Sequence, residues 1–454
     1  MPQVARRKRC NVNISLGNIF RTQELRDKIL LTVGLLAVYR LGIFVTTPGV
    51  DRSVMSEIIG GSGGFLGLFN LFSGGALEQM SVFALGVMPY ISASIIFQLL
   101  AMVYPPLERL NKEGEPGRRK VNQYTRYATV VISLLQGFFI ANFIVGLNND
   151  NPGLLVTTGP WFYFVTVLTL TTGTAFLMWL GEQITERGIG NGMSLIIFAG
   201  IISGLPAGVF GLIEQTRNGD FSVPQAAVLA VLALGVIFGI VYIERAQRRI
   251  PVQYAKGGAG RVAASAQSSY LPLKLNPTGV IPPIFASSIL LVPASLAGNF
   301  PEATWAQSLQ AAMNPLTWQY NTLYVVLIVF FAFFYAAATV NTVDIADGMR
   351  RQNSFIPGVR PGKLTAEYID RVLTRLVTAG SIYLAAVCVM PVALQAYFPV
   401  PFFYGGTSLL IVVSVGLDTM SQIEGQLITR NYEALTPPSG GRIRDRVDGT
   451  PDAA

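Results

Sequence analysis

Long apolar stretches, separated by shorter polar ones, dominate the pattern of the chain. A transmembrane α-helix needs about 20 mostly apolar residues, because a rise of 1.5 Å per residue has to cross ~30 Å of hydrocarbon. Ten stretches come close to this length, at about 29–46, 82–104, 127–147, 161–180, 193–213, 223–243, 277–298, 320–341, 372–393 and 404–423. The pattern predicts an all-α membrane protein with ten transmembrane helices.

The composition agrees with a membrane environment. Hydrophobic residues make up 51% of the 454 residues and charged residues only 13%, whereas roughly 25% of a typical soluble domain is charged. The mean hydropathy is +0.48. An ordinary soluble protein is therefore not expected.

Lys and Arg residues are distributed unequally between the loops. Nearly all of the 33 basic residues lie on one side of the ten stretches, whereas the loops on the other side carry only Arg52 and Arg217. Basic loops stay on the cytoplasmic side, so both termini are expected to be cytoplasmic. Two sets of five helices then start from opposite faces, which predicts two halves of inverted topology.

The expected organisation has four parts. These are a cytoplasmic N-terminal segment, an N-terminal half, a C-terminal half and a cytoplasmic tail, at 1–28, 29–213, 214–423 and 424–454. The tail is polar and rich in Pro and Gly, and we expect it to be disordered from about residue 431.

Two loops of the C-terminal half, 244–276 and 342–371, are long and basic. Such loops can serve only as the topological signal. They can also dock a large acidic partner, for example RNA, because clustered Lys and Arg neutralise phosphates. The residues alone leave both interpretations open.

The segment after the first stretch does not fit a plain span. Glycine clusters at 60–64 and 74–75 flank an apolar run that is too short to cross a bilayer. The run forms either a short helix on the outer surface or a helix folded back into a protein-lined cavity. Prolines also interrupt the seventh stretch, at 282, 283 and 293, and predict a hinge or wall there.

The residues that carry most enzyme chemistry are scarce. Histidine is absent, and the two cysteines, Cys10 and Cys388, lie far apart in sequence, so neither a zinc site nor a disulfide is expected. The nearest match to a nucleotide-binding loop, 358–363, is one residue short between its glycines and lacks the Ser or Thr after the lysine. We expect no catalytic residues, no metal and no cofactor, so any work has to be driven by a partner or a gradient.

Inverted halves and interrupted helices also suit a secondary transporter for a small solute, which is the alternative hypothesis. Such a transporter usually needs a chain of carboxylates or a proton relay inside the membrane. The stretches contain only isolated charges: Arg40, expected to snorkel or pair with a neighbour, Arg375 at the edge of the ninth stretch, and Asp418. The hypothesis of an intramembrane enzyme has less support still, because no paired catalytic residues stand out in the sequence.

Six strings of the sequence match one known family in order. They read FNLFSGGALEQMSVFALGVMPYISASII, KEGEPGRRKVNQYTRY, FLMWLGEQITERGIGNGMSLIIFAGI, LPLKLNPTGVIPPIFASSILL, FIPGVRPGKLTAEYIDRVLTRL and VPFFYGGTSLLIVVSVGLD. From about residue 22 to about residue 430, the chain resembles the SecY family, the channel subunits of bacterial protein translocases.

The resemblance implies two five-helix halves that close like a clamshell around a central pore and hinge between the fifth and sixth helices. The second, third, seventh and eighth helices would form a lateral gate that opens toward lipid. The glycine-flanked segment, about 62–76, would be a short re-entrant plug helix. Its apolar residues are Phe65, Leu66, Leu68, Phe69, Leu71 and Phe72.

The resemblance also implies roles for single residues. A pore ring of apolar side chains corresponds to Val87, Ile91, Met193, Ile197, Ile284 and Ile411, which without the family look like ordinary core residues. Polar gate positions, expected to hydrogen-bond across helices, correspond to Ser92, Gln98 and Asn276. Arginines that would engage the ribosome and the motor ATPase SecA correspond to Arg261 and Arg360.

The function that the resemblance implies is a protein-conducting channel in the bacterial cytoplasmic (inner) membrane. It would pass unfolded preproteins across the membrane and release transmembrane segments sideways into lipid. The expected partners are SecE, SecG, SecA, the ribosome, signal sequences, unfolded preproteins and membrane lipid. SecA or the translating ribosome would supply the energy, since the channel itself is not expected to be an enzyme.

Overall fold

The structure is a computed structural model that describes residues 23–61, 70, 73–150, 153–156, 159–219, 222–254, 269–298, 303–397 and 406–435. The N-terminal segment up to residue 22, the tail from 436 and all six apolar plug residues lie outside the described residues. Most of the described chain is helical.

Long helices follow one another in the first half of the described chain. They are α1 (Gln23–Ile43), α2 (Arg52–Gly61), α3 (Met88–Val103), α4 (Pro105–Lys112), α5 (Glu115–Asp150), α6 (Pro160–Arg187) and α7 (Gly192–Asn218).

The second half adds helices and three short strands. In chain order they are α8 (Val223–Arg245), β1 (Gln247–Tyr254), β2 (Ser269–Lys274), α9 (Ile281–Gly298), α10 (Thr304–Ala312), α11 (Trp318–Thr339), α12 (Thr342–Arg351), β3 (Ser354–Phe355), α13 (Lys363–Tyr397) and α14 (Gly406–Leu435).

Each of the ten predicted spans coincides with one of these helices. Within the described residues, seven helical stretches are long and apolar enough to cross a membrane, and they contain α5, α6, α7, α8, α11, α13 and α14. The other three are α1, which begins with several charged residues, and two shorter apolar helices, α3 and α9. The count of ten spans therefore stays a prediction.

Helix α3 is shorter than its apolar stretch for a local reason. Residues 82–87 form turns, and the helix begins only at Met88, with a proline in its first turn. It ends at Val103 because Pro105 follows, and the residue before a proline is kept out of the helical region. Sixteen helical residues span about 24 Å.

Two helices extend beyond the apolar residues that predicted them. Helix α5 begins at Glu115 rather than near 127, and α13 begins at Lys363 rather than near 372. The added turns are rich in Arg, Lys and Glu, which are good helix formers. The twelve extra residues of α5 project about 18 Å beyond its predicted start.

A large apolar cluster occupies the centre of the helix assembly. Helix α3 packs against α5, α5 against α6, α9 against α11, and α14 against both α7 and α8. Glycines permit the closest approaches: a Cβ added to Gly173 would clash with Val82, and one added to Gly406 would clash with Val387. Small residues have this role in membrane proteins, because helices associate there mainly by close packing.

The two long basic loops meet in one small sheet with strand order β2-β1-β3. Antiparallel pairing runs from Gln247 opposite Lys274 to Val252 opposite Ser269, and β3 pairs with the end of β1. A second apolar cluster lies beneath the sheet and includes Ile250, Val252, Met349, Ile356 and Ile369. The sequence pattern predicts these segments to be loops, whereas the structure forms strands within them.

We predict that Gly192→Ala destabilises the protein by about 1–3 kcal/mol, the usual effect of overpacking. Gly192 opens α7, and a Cβ added there would clash with the carbonyl oxygen of Gly181 on α6. The matched control is Gly211→Ala on the same helix, where nothing lies within 4 Å of the added carbon. Thermal melting of the membrane-extracted protein should show a lower Tm for Gly192→Ala only; equal Tm values would contradict the prediction.

Candidate functional site

The six predicted ring residues come from four regions of the described chain that meet at its centre. Val87 is the N-cap of α3, Ile91 lies in its first turn, Met193 and Ile197 lie on α7, and Ile411 lies on α14. All five are buried members of the central apolar cluster. Ile284, in the first turn of α9, is half-buried and packs against the same cluster.

Local hydrogen bonds fix the start of α7 and with it the place of Met193. The side chain of Asn191 accepts hydrogen bonds from the backbone N–H groups of Met193 (3.2 Å) and Ser194 (3.4 Å). Asn is a preferred N-cap because it satisfies N–H groups that have no partner within the helix. Gly181 lacks a side chain at the point where the sulfur of Met193 packs, which leaves room for this longer residue.

The four helices predicted to form the lateral gate lie next to one another. Helix α3 packs against α5 and α9, and α9 packs against α5 and α11. The contact between α3 and α9 joins the two halves of the chain. We call it the α3–α9 seam.

Hydrogen bonds are described for two of the three polar gate residues, Gln98 and Asn276, and these bonds do not join α3 to α9. Gln98 is exposed, and its Nε2 donates to Ser94 Oγ on its own helix at 3.0 Å. Asn276 is buried, and its Nδ2 donates to Glu244 Oε1 at 2.8 Å, at the end of α8. Ser92 is half-buried on α3. The assignment of these three residues to a gate stays a prediction.

The last residues of the predicted plug segment, and the chain that follows them, contact α1. The hydroxyl of Tyr39 donates to the carbonyl of Ser73 at 3.2 Å, and Arg40 Nη1 donates to the carbonyl of Gly74 at 3.1 Å. Gly74 has a φ of 69° and lies against Gly200 on α7 so closely that an added Cβ would clash with it. We call residues 73–80 the stem.

The stem contacts explain one predicted feature and add another. Arg40 was expected to snorkel or pair with a neighbour, and it hydrogen-bonds the stem backbone. Tyr39 was not singled out, because an aromatic residue near the end of an apolar stretch resembles any membrane-interface aromatic. Its burial (1% exposed) and its partner become visible only in the fold.

Helix α2, which leads toward the plug segment, begins at an N-cap carboxylate. Asp51 Oδ1 accepts hydrogen bonds from the hydroxyl of Ser53 at 2.6 Å and from its backbone N–H at 2.9 Å. The hydroxyl and then the amide of Ser53 lower the pKa of Asp51. The charged form is therefore the one that caps α2.

The predicted docking arginines differ in what the structure describes. Arg261 lies outside the described residues, in the loop between β1 and β2. Arg360 is exposed in the turn between β3 and α13, and its carbonyl accepts a hydrogen bond from the Thr365 hydroxyl at 2.9 Å. The guanidinium of Arg249 on β1 lies 4.9 Å from the centre of the Tyr270 ring on β2. Arg360 thus follows β3, the third strand of this sheet, by five residues.

The described part of the chain contains no candidate metal-binding cluster. Within those residues, no group of three or more His, Cys, Asp or Glu side chains is close enough to hold a metal ion. Cys388 is buried in the central cluster and is a free thiol.

Comparison with known proteins identifies the family. The SecY family profile matches residues 81–420. The chain is 48% identical over 417 residues to the protein translocase subunit SecY of Escherichia coli, covering 90% of this chain and 94% of that protein. It is 49% identical over 402 residues to SecY of Pseudomonas aeruginosa, covering 88% and 90% of the two chains. The chain belongs to the SecY family.

Solved structures share this SecY fold. A structure described as a protein conducting channel matches with a TM-score of 0.65 at 16% identity, covering 90% of this chain and 94% of that one. The channel of a canine ribosome-channel complex from the endoplasmic reticulum matches with a TM-score of 0.62 at 15% identity and the same coverage. The predicted family and the predicted class, a helical membrane protein, are both confirmed.

We predict that Arg40→Met speeds hydrogen–deuterium exchange in the stem, because the carbonyl of Gly74 loses its charged donor. The matched control is Arg187→Met, which removes an exposed arginine at the end of α6. Peptides covering 73–80 should exchange faster in Arg40→Met than in the control. Identical exchange in both variants would show that Arg40 does not hold the stem.

Proposed function

We propose that the protein is a protein-conducting channel that passes unfolded preproteins across the membrane and releases transmembrane segments sideways into lipid. The observation that carries the proposal is the 48% identity to a SecY translocase subunit over 90% of the chain. The central apolar cluster and the contact between α3 and α9 support the proposal, because such a channel requires an apolar constriction and a seam between its halves. Nothing in the comparisons favours the small-solute transporter that was the alternative.

The ring residues would close the pore around a moving chain. Aliphatic side chains bind no single residue of a passing polypeptide, and a narrow apolar constriction excludes ions because water leaves it. Val87 and Met193 depart from an all-isoleucine ring. Valine is smaller, and methionine is flexible enough to follow the shape of a passing segment.

The gate and plug assignments complete the proposed mechanism. Opening the α3–α9 seam would connect the pore to lipid without breaking either helix. The plug residues Phe65 to Phe72 would fill the outer side of the pore, and the stem would mark where that segment rejoins the fixed part of the channel. Support comes from the stem contacts and from a relative whose structure is described as showing a plug domain that stabilises the closed state of its channel.

The energy and the direction of transport would come from partners. We propose that SecA or a translating ribosome docks at the sheet formed by the two basic loops and engages Arg261 and Arg360, and that SecE and SecG complete the channel. A relative from yeast was solved bound to the ribosome, with a TM-score of 0.58 at 17% identity. The same proposal places the protein in the bacterial inner membrane with both termini in the cytoplasm, as the distribution of basic residues indicates.

The proposed function is tested by depletion in the source cell. Precursors that carry signal sequences should accumulate uncleaved as the protein disappears, and an added copy of the chain should restore their export. Unchanged export after depletion would refute the function. Accumulation of a small solute with normal precursor export would support the transporter instead.

We predict that Ile411→Ser raises the ion conductance of the resting channel several-fold, because a hydroxyl in an apolar constriction favours its wetting. The matched control is Ile240→Ser on α8. Both isoleucines are 1% exposed and belong to the central cluster, but Ile240 is not a predicted ring residue. Planar-bilayer recordings should show the increase for Ile411→Ser alone, and equal conductance would argue against the ring assignment.

A further inference from the structure

Asn276 is the most tightly engaged polar side chain next to the predicted gate. It is 2% exposed, and its Nδ2 donates both to Glu244 Oε1 at 2.8 Å and to the carbonyl of Gly279 at 3.1 Å. Its Oδ1 accepts a hydrogen bond from the Thr278 hydroxyl at 3.0 Å. Since an amide nitrogen carries two hydrogens, Asn276 has no donor left for a partner on α3.

Glu244 connects this side chain to a different helix. It lies in the last turn of α8, directly before β1, while Asn276 lies just after β2. The backbone reinforces the connection, because the N–H of Leu275 donates to the carbonyl of Ala246 at 2.9 Å. The two ends of the β1–β2 hairpin are therefore joined to each other at the end of α8.

We call the contact between the end of α8 and the two ends of the hairpin the joint. Two further helices, α14 and α13, pack against it. Lys274 Nζ lies 3.4 Å from Asp418 Oδ1 on α14. Gly380 on α13 faces the chain at Leu275 and Asn276, where an added Cβ would lie 3.3 Å from the Leu275 carbonyl oxygen. The end of α8, the base of the hairpin and the start of α9 thus form one packed unit.

The joint determines where α9 begins. Helix α9 starts at Ile281, five residues after Asn276, and the intervening backbone is tied to Asn276 through Gly279. The same helix packs against α3 at the seam. A displacement of Asn276 therefore moves the first turn of α9, which also carries Ile284.

We propose that Glu244 is a positioning residue for the lateral gate, which holds Asn276 and with it the start of α9 against α8, and so keeps the α3–α9 seam shut. The inference rests on the proposed channel function. The contact is a hydrogen bond from the Asn276 amide to the Glu244 carboxylate. A hydrogen bond to a charged acceptor is stronger than one between neutral groups. Opening of the gate then requires Asn276 to separate from Glu244.

The test measures export of a precursor whose signal sequence has been disabled, in cells that depend on the variant chain. Glu244→Leu should raise that export about tenfold, the change that corresponds to losing one hydrogen bond to a charged group. Glu244→Gln keeps an oxygen acceptor without the charge and should give an intermediate increase. The matched control is Glu186→Leu, which removes an exposed glutamate near the end of α6.

A double variant separates the specific bond from general loosening. If Glu244 acts through Asn276, then Glu244→Leu combined with Asn276→Leu should export no more of the disabled precursor than Asn276→Leu alone. Additive effects would overturn the inference, because they would mean that the two side chains act separately.

The remaining outcomes are distinguishable. Normal amounts of Glu244→Leu and unchanged export of the disabled precursor would overturn the inference while leaving the channel function intact. If the Glu244→Leu protein does not accumulate in the cells, the test rests on Glu244→Gln. Unchanged export of the disabled precursor by Glu244→Gln would then overturn the inference. Failure of the unaltered chain to export an intact precursor would instead refute the proposed function.

Discussion

Every structural feature of this protein depends on one constraint: in hydrocarbon, each backbone N–H and C=O group has to find a partner within the protein. Long helices meet the constraint by themselves. The stem and the irregular chain between it and α3 meet the constraint with help from the residues just after α1, since the N–H of Thr47 donates to the Met80 carbonyl and the N–H of Val82 to the Val45 carbonyl. The stem side chains of Ala76, Leu77 and Met80 are buried. The stem is therefore packed inside the protein, while the position of the plug run, outside the described residues, stays a prediction.

The hydrocarbon environment also determines how the helices associate. Lipid tails are as apolar as leucine, so close packing and polar contacts take over the role that hydrophobic burial has in water. Gly181 against Gly192 and Gly74 against Gly200 bring backbones together at the centre of the assembly. The ion pair between Arg126 and Glu182, with 2.6 Å between Nε and Oε1, joins α5 to α6. Contacts of this kind join neighbouring helices, whereas the α3–α9 seam is the contact proposed to open.

The sequence predicted the fold well where the signal is local and poorly where it depends on distant residues. All ten apolar stretches correspond to helices because length and hydropathy are local properties. The small sheet was missed, although Ile250 and Val252 alternate with Arg249 and Pro251, because arginine, glycine and proline dominate the composition of those loops. The ring assignment depends on the resemblance to the family, since nothing in the sequence distinguishes Ile411 from another buried isoleucine. Likewise, no pattern shows that Asn276 meets Glu244, 32 residues earlier in the chain.

Helix α14 links the two halves at the side where the basic sheet lies. Asp418 and Gln422 lie one turn apart on α14, and their side chains contact different halves of the chain. Asp418 meets Lys274 at the base of the hairpin, while Gln422 Oε1 accepts a hydrogen bond from the N–H of Gly190, in the loop between α6 and α7. The next residue of that loop toward α6, Ile189, packs with Leu25 and Leu427. Because the base of the hairpin and the loop between α6 and α7 both contact α14, this helix connects the sheet to the N-terminal half of the chain.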